Sequence, residues 1–185
     1  DDTNVVFSYV ISDGEHRISG SATLDLTPVN DAPLSSNVVL SNLDEDATSL
    51  VITQAQFLTN ATDVDGDTLS VSGVTIASGL GSIIDNGNGT WTFIPDPNDD
   101  SVVTFSYTIS DGALTTPGTA TLDLNAINDA PTTSDVTLAA IAEDSGARII
   151  TQAELLANAS DIEGDTLTAT NLAISSGSGT LVSNG

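Results

Sequence analysis

Cysteine, methionine and lysine are all missing from this 185-residue sequence, and two of these absences close off whole classes of explanation. Without cysteine there is neither a disulfide framework nor a thiolate metal site. A small extracellular domain then needs another staple, and a bound metal ion is one. Without lysine, lysine–asparagine isopeptide cross-links are closed as well. Arg17 and Arg148 are the only fixed cations against 26 acids, for a formal charge of −24. Nucleic-acid binding requires a basic footprint, so it is excluded, and anionic membrane surfaces are disfavoured. No apolar run approaches the ~20 residues of a spanning helix, so no direct membrane insertion is expected. No signal peptide is visible either. The one histidine, His16, belongs to no Ser-His-Asp or zinc-ligand set.

What is present is repetition. Asn30-Asp31-Ala32-Pro33 recurs as Asn128-Asp129-Ala130-Pro131, and the step from Asp31 to Asp129 sets a pitch of 98 residues. Residues 1–30 align without gaps to 99–128, with more than half of the positions identical. Residues 31–87 align in the same way to 129–185, with nearly half identical. The expected domains are the C-terminal part of a first repeat (1–30), a complete repeat (31–128) and the N-terminal part of a third (129–185). The chain reads as a window onto a longer tandem array. Proline pins its own φ and pushes its predecessor towards extended geometry, so Asn-Asp-Ala-Pro reads as the joint between modules.

The complete repeat is patterned for strands. We expect them at 38–43, 49–52, 68–77, 82–85, 90–94, 103–110 and 119–125. Asn86-Gly87-Asn88-Gly89 marks a hairpin turn. In 103–110 the alternation places Val103, Phe105, Tyr107 and Ile109 on one face. Leu122 and Leu124 point inward on the last strand. Six of the seven aromatic residues, Phe7, Tyr9, Trp91, Phe93, Phe105 and Tyr107, fall at core-facing strand positions. Phe57 sits beside Leu58 in a short segment where Thr53 with Gln56, repeated as Thr151 with Glu154, spells a capping box. That segment reads as a one- to two-turn helix with Leu58 and Leu156 inward. About seven short strands in ~100 residues indicate an all-β fold, a tandem array of immunoglobulin-like β-sandwiches with one short helix per repeat.

Acids cluster with the same pitch. Leu43-Asp44-Glu45-Asp46 returns as Ile141-Ala142-Glu143-Asp144. Asp63-Val64-Asp65-Gly66-Asp67 returns as Asp161-Ile162-Glu163-Gly164-Asp165. Ser-Asp-Gly occurs at Asp13 and at Asp111. Clustered carboxylates repel unless a cation lies between them, and hard oxygen donors without histidine or cysteine suit Ca²⁺. An EF-hand is ruled out, because its twelfth position should be a bidentate Glu and falls instead on Val74 and Leu172. The competing reading is a solvated acidic turn, since Asp and Gly are common turn residues.

In this order the motifs resemble the cadherin-like, immunoglobulin-like tandem repeats of large bacterial (RTX-type) surface adhesins. The resemblance implies Ca²⁺ at the junctions between repeats. It implies Glu45 and Glu143 as the acids near the first strands, and Asn30, Asp31, Asn128 and Asp129 as linker ligands. It pairs Asp63 with Asp65 and Asp161 with Glu163, each followed by Asp67 or Asp165. It adds Asp13 and Asp111 at a late strand end, with Asp99 and Asp100 as a looser match. Pro28 and Ala126 stand where cadherin linkers carry a further Asp, and Glu163 replaces the Asp of the pair. Fewer ligands imply one or two ions per junction, with millimolar-range affinity.

The expected function is therefore a calcium-stabilised extracellular spacer, at the cell surface or secreted, that supports cell adhesion. Its partners are neighbouring repeats of the same chain, while a cell-surface, host or substratum target is reached through other domains. Catalysis is not expected. The acids recur at turns, and the repeat counterpart of His16 is Leu114. The alternative is a carbohydrate- or protein-binding β-sandwich module, which would need exposed aromatic platforms.

Overall fold

The computed structural model describes residues 4–183. The pair Asp1-Asp2, aligned above with Asp99-Asp100, lies outside them. The chain divides between Ala126 and Ile127 into two units.

The first unit opens with an antiparallel hairpin of β1 (Val5–Ser12) and β2 (Arg17–Leu24). The complete repeat follows with β3 (Leu34–Ser35), β4 (Val38–Val39), β5 (Leu43–Asp44) and β6 (Leu50–Thr53). Next come α1 (Gln54–Phe57), β7 (Ala61–Thr62), β8 (Ser70–Ser78), β9 (Ser82–Asp85) and β10 (Thr90–Ile94). It closes with β11 (Val103–Ser110), β12 (Thr115–Leu122) and β13 (Leu124–Asn125). One sheet has the order β4-β12-β11-β8 and another β6-β10-β9, while β3 pairs β7 and β5 pairs β13.

The two larger sheets meet through their apolar faces, as alternation dictates. Val103, Phe105, Tyr107 and Ile109 are all buried, as are Trp91 and Phe93 opposite them. Phe93 meets Phe105 edge-on at 5.4 Å, and Phe57 meets Trp91 edge-on at 5.5 Å. Such pairs add ~0.5–1.5 kcal/mol each beyond the area they bury. The capping box forms in full on α1, with the Thr53 hydroxyl accepting the Gln56 N–H and the Gln56 side chain accepting the Thr53 N–H. Its core residue is Phe57, fully buried, while Leu58 is only partly buried at the edge of the same cluster. The Tyr107 hydroxyl donates to the Phe57 carbonyl at 2.8 Å and ties α1 to the sheet. Its ring lies over Gly118, where an added Cβ would come within 2.2 Å of it.

Two strands differ from the sequence reading. The run 38–43 is not one strand, because Val38–Val39 pairs with β12 and Leu43–Asp44 pairs with β13, both in parallel. The last strand breaks at Asp123 for the same reason, since Leu124 must change partner. Asp123, inside the expected strand 119–125, therefore stands at a break and accepts a hydrogen bond from Asn42 Nδ2.

The hairpin β1–β2 copies β11–β12 down to its register, with Phe7 opposite Ala22 and Tyr9 opposite Gly20. Yet Phe7 is 50% exposed and Tyr9 47%, so these two aromatics are not core residues here. Among the described residues no second sheet lies over that face, which is what buries Phe105 and Tyr107 in the complete repeat.

The second unit carries α2 (Gln152–Leu155), again with both halves of its capping box. Leu156 at its C-cap is half-buried. A single bridge between Thr132 and Ser160 stands where β3 and β7 pair one repeat earlier. Asn158 Nδ2 donates to the Asp135 carbonyl at 2.8 Å, and Asn60 Nδ2 to the Asn37 carbonyl at 2.7 Å, so the local frame of the head of the repeat is kept. No described helix is long and apolar enough to cross a membrane.

Candidate metal centre

Each copy of Asp-x-(Asp/Glu)-Gly-Asp is a tight turn closed by its first carboxylate. Asp63 Oδ1 accepts the N–H of Asp65 at 3.0 Å and of Asp67 at 3.3 Å. Gly66 supplies the positive φ of 81° that this turn requires. Asp161 Oδ1 accepts the Asp165 N–H at 3.0 Å in the second copy. Asp67 and Asp165 contribute main-chain donors, and their own side chains are exposed.

The linker is fastened to this turn and to one other. Asp31 N–H donates to Asp65 Oδ2 at 2.8 Å. Asn30 Nδ2 donates to Asp111 Oδ2 at 3.0 Å. The other oxygen of Asp111 accepts the N–H groups of Ala113 and Leu114, which holds the β11–β12 turn. The Asn30 side chain, then those two N–H donors, hold the Asp111 carboxyl below the usual carboxylate range. Pro33 is fully buried, and its carbonyl accepts the Thr116 hydroxyl at 2.6 Å. Proline thus ends the linker by plugging into the sandwich, and leaves Asn30 and Asp31 across the two acidic turns. In the second unit Asp129 N–H donates to Glu163 Oε2 at 3.3 Å, and Asn128 Nδ2 donates to the Asp129 carbonyl at 3.0 Å.

The structure thus brings together Asn30, Asp31, Asp63, Asp65 and Asp111 at the head of the complete repeat. It brings together Asn128, Asp129, Asp161 and Glu163 at the head of the next. It does not bring Asp13 to either: that carboxylate's contacts all close its own hairpin turn, to the Glu15 and His16 N–H groups and to the His16 ring. The His16 N–H is the leading cause holding the Asp13 carboxyl below the usual range. Glu45 is buried beside the tail of its repeat, its N–H donating to the Asn125 carbonyl at 3.1 Å. Glu143 is exposed in a turn.

Among the described residues no three acidic side chains converge on one point. The carboxylates Asp65 and Asp111 turn instead to amide donors, which lowers their mutual repulsion. The donor set nonetheless fits a hard cation. Asp63 Oδ2 and Asp129 Oδ2 are buried oxygens with no hydrogen-bond partner. A buried carboxylate oxygen without a donor is costly, and a cation is the partner that satisfies it. Sequence reasoning missed a second polar ladder, in which Asn42 Nδ2 reaches both Asp123 and Asn125, and Asn125 Nδ2 reaches Asp44. Its only signal was the alternation of Asn and Asp at and just before two short strands whose parallel pairing no local pattern announces.

The family model described as Cadherin-like domain matches residues 29–125 and again 127–185. No curated protein matches the chain. Among solved structures it is similar to the endo-fucoidan hydrolase MfFcnA9 from glycoside hydrolase family 107, with 17% identity, a TM-score of 0.34, and 67% of this chain and 22% of that one covered. For the endo-fucoidan hydrolase MfFcnA4 of the same family the values are 18%, 0.35, 68% and 19%. The chain spans about a fifth of the length of each.

Proposed function

Since the chain belongs to the Cadherin-like domain family, we propose that it is a calcium-stabilised extracellular spacer, a run of stalk repeats from a large bacterial surface adhesin. The observation that carries this reading is the twice-built head of the repeat, in which a linker Asn-Asp is hydrogen-bonded to an acidic turn and one carboxylate oxygen is buried without a partner, Asp63 Oδ2 of the turn in the first copy and Asp129 Oδ2 of the linker in the second. Ca²⁺ takes 6–8 oxygens at ~2.3–2.6 Å. Asn30, Asp31, Asp63, Asp65 and Asp111 would supply them in one repeat, and Asn128, Asp129, Asp161 and Glu163 in the next. Asp67 and Asp165 close the same turns through their N–H groups, while Asp13, Glu45 and Glu143 lie outside both sets.

An ion there neutralises like charges and ties the linker to the sandwich that follows it. Binding to the folded form alone stabilises that form by linkage. Repeated along an array, this sets the direction of each joint and holds a distal binding domain away from the surface. We assign the segment no reaction. The test is small-angle scattering and thermal melting of the chain in Ca²⁺ and in chelator. The reading predicts a higher melting temperature and a longer maximum dimension in Ca²⁺. Both quantities unchanged would sink it.

A further inference from the structure

We propose that Asn88 is a site of spontaneous deamidation, singled out by hydrogen bonding from the otherwise similar Asn86 two positions earlier. Both precede glycine, the residue that least hinders attack of its own main-chain nitrogen on the asparagine side chain. Both are exposed on the β9–β10 loop.

Their surroundings differ. Asn86 Nδ2 donates to the hydroxyls of Thr90 and Thr92, and Asn86 Oδ1 accepts from Thr92. The Gly87 N–H, which must attack, is engaged by Asp85 Oδ1 at 2.8 Å. Asn86 is therefore clamped at the leaving amide and disarmed at the nucleophile. At Asn88 the pattern reverses. Its Oδ1 accepts both the Thr90 N–H at 3.2 Å and the Thr90 hydroxyl at 2.7 Å. These donors polarise the amide carbonyl and stand ready for the oxyanion that attack creates. Among the described hydrogen bonds Asn88 Nδ2 has no acceptor, and neither does the Gly89 N–H.

The chemistry balances with water alone. Gly89 nitrogen loses its proton to solvent base and bonds to Asn88 Cγ. The Cγ–Nδ2 bond breaks and ammonia leaves. Water then opens the five-membered succinimide at either carbonyl, giving aspartate or isoaspartate. The isoaspartate product adds a methylene to the main chain one residue before Gly89, whose carbonyl accepts the Gln54 N–H at the start of α1. The modification is thus placed to loosen the β6–β10 edge and the helix that carries Phe57.

The experiment is ageing of the folded 185-residue chain in mildly alkaline buffer. Peptic digestion at acid pH and electron-transfer fragmentation then assign aspartate and isoaspartate to each position. A parallel sample is aged in concentrated urea. The proposal predicts that position 88 converts several-fold faster than 86 when folded, and that the two converge when unfolded. Asp85→Ala and Thr92→Val should each accelerate position 86. Equal or faster conversion at 86 in the folded chain, or no conversion at 88, overturns the proposal.

Discussion

The main-chain N–H of Asp31 donates to the Asp65 carboxylate at 2.8 Å, across 34 positions of the chain. One pitch later the Asp129 N–H makes the same bond to Glu163 at 3.3 Å. A linker residue and an acidic turn are thus joined twice in the same way. The longer glutamate replaces aspartate in the second copy without losing the contact.

Asp63→Asn separates the two jobs of that side chain. An asparagine Oδ1 still accepts from Asp65 and Asp67, so the turn survives. The unpartnered oxygen becomes an N–H₂ group that repels a cation. Calorimetry should show the head site of the complete repeat weakened at least about tenfold, equivalent to ~1.4 kcal/mol. The chelator-treated variant should melt no lower than the parent, because one negative charge has left the cluster.

The Tyr107 hydroxyl serves two carbonyls, of Phe57 at 2.8 Å and Thr119 at 3.3 Å. Tyr107→Phe leaves the buried Phe57 carbonyl without its donor and should cost ~1–3 kcal/mol in denaturant melts. Gly118→Ala should cost more, because its Cβ meets the Tyr107 ring at 2.2 Å and a sandwiched ring has little room to retreat.

Thr53→Ala removes the capping box of α1 and should lower stability by ~1 kcal/mol. The helix is one turn long, so Phe57 loses its support as well. Near-ultraviolet circular dichroism of the aromatic cluster reports whether it does.

Acid should release the linker. The Asp111 carboxyl is held low chiefly by the Asn30 side chain, then by Leu114 and Ala113 N–H. Its folded pKa lies below the unfolded value of ~3.9, so its contribution is complete above that value. It is lost as pH falls through the folded pKa. Carbon-detected NMR should show Asp111 titrating below the ordinary aspartate value, with the Asn30 side-chain amide following it. Asn30→Ala should move that midpoint upward.

Much of the sandwich was legible because alternation in 103–110 and 90–94 is strict and the capping box is local. Phe57, not Leu58, filled the core: on a four-residue helix the choice depends on where α1 docks, which is a tertiary matter. The split of 38–43 was hidden because a strand that changes sheets has no period of its own. Phe7 and Tyr9 have core-type spacing, yet spacing cannot say whether a second sheet is there to cover them. At the candidate site the Asp-x-Asp turns and linker positions were readable from their repeat. That Asp111 rather than Asp13 meets Asn30 was not, since the pairing is set by which sandwich the linker leads into.

The central claim is that Ca²⁺ sits at the linker-facing head of each repeat. Its most direct test is a residue-resolved ¹H–¹⁵N NMR titration of the chain with CaCl₂. The account predicts saturating shifts confined to residues 30–31, 63–67 and 111–114 in one unit and 128–129 and 161–165 in the other. Linear, unsaturating shifts spread equally over acids such as Asp25, Asp85 and Asp96 would contradict it.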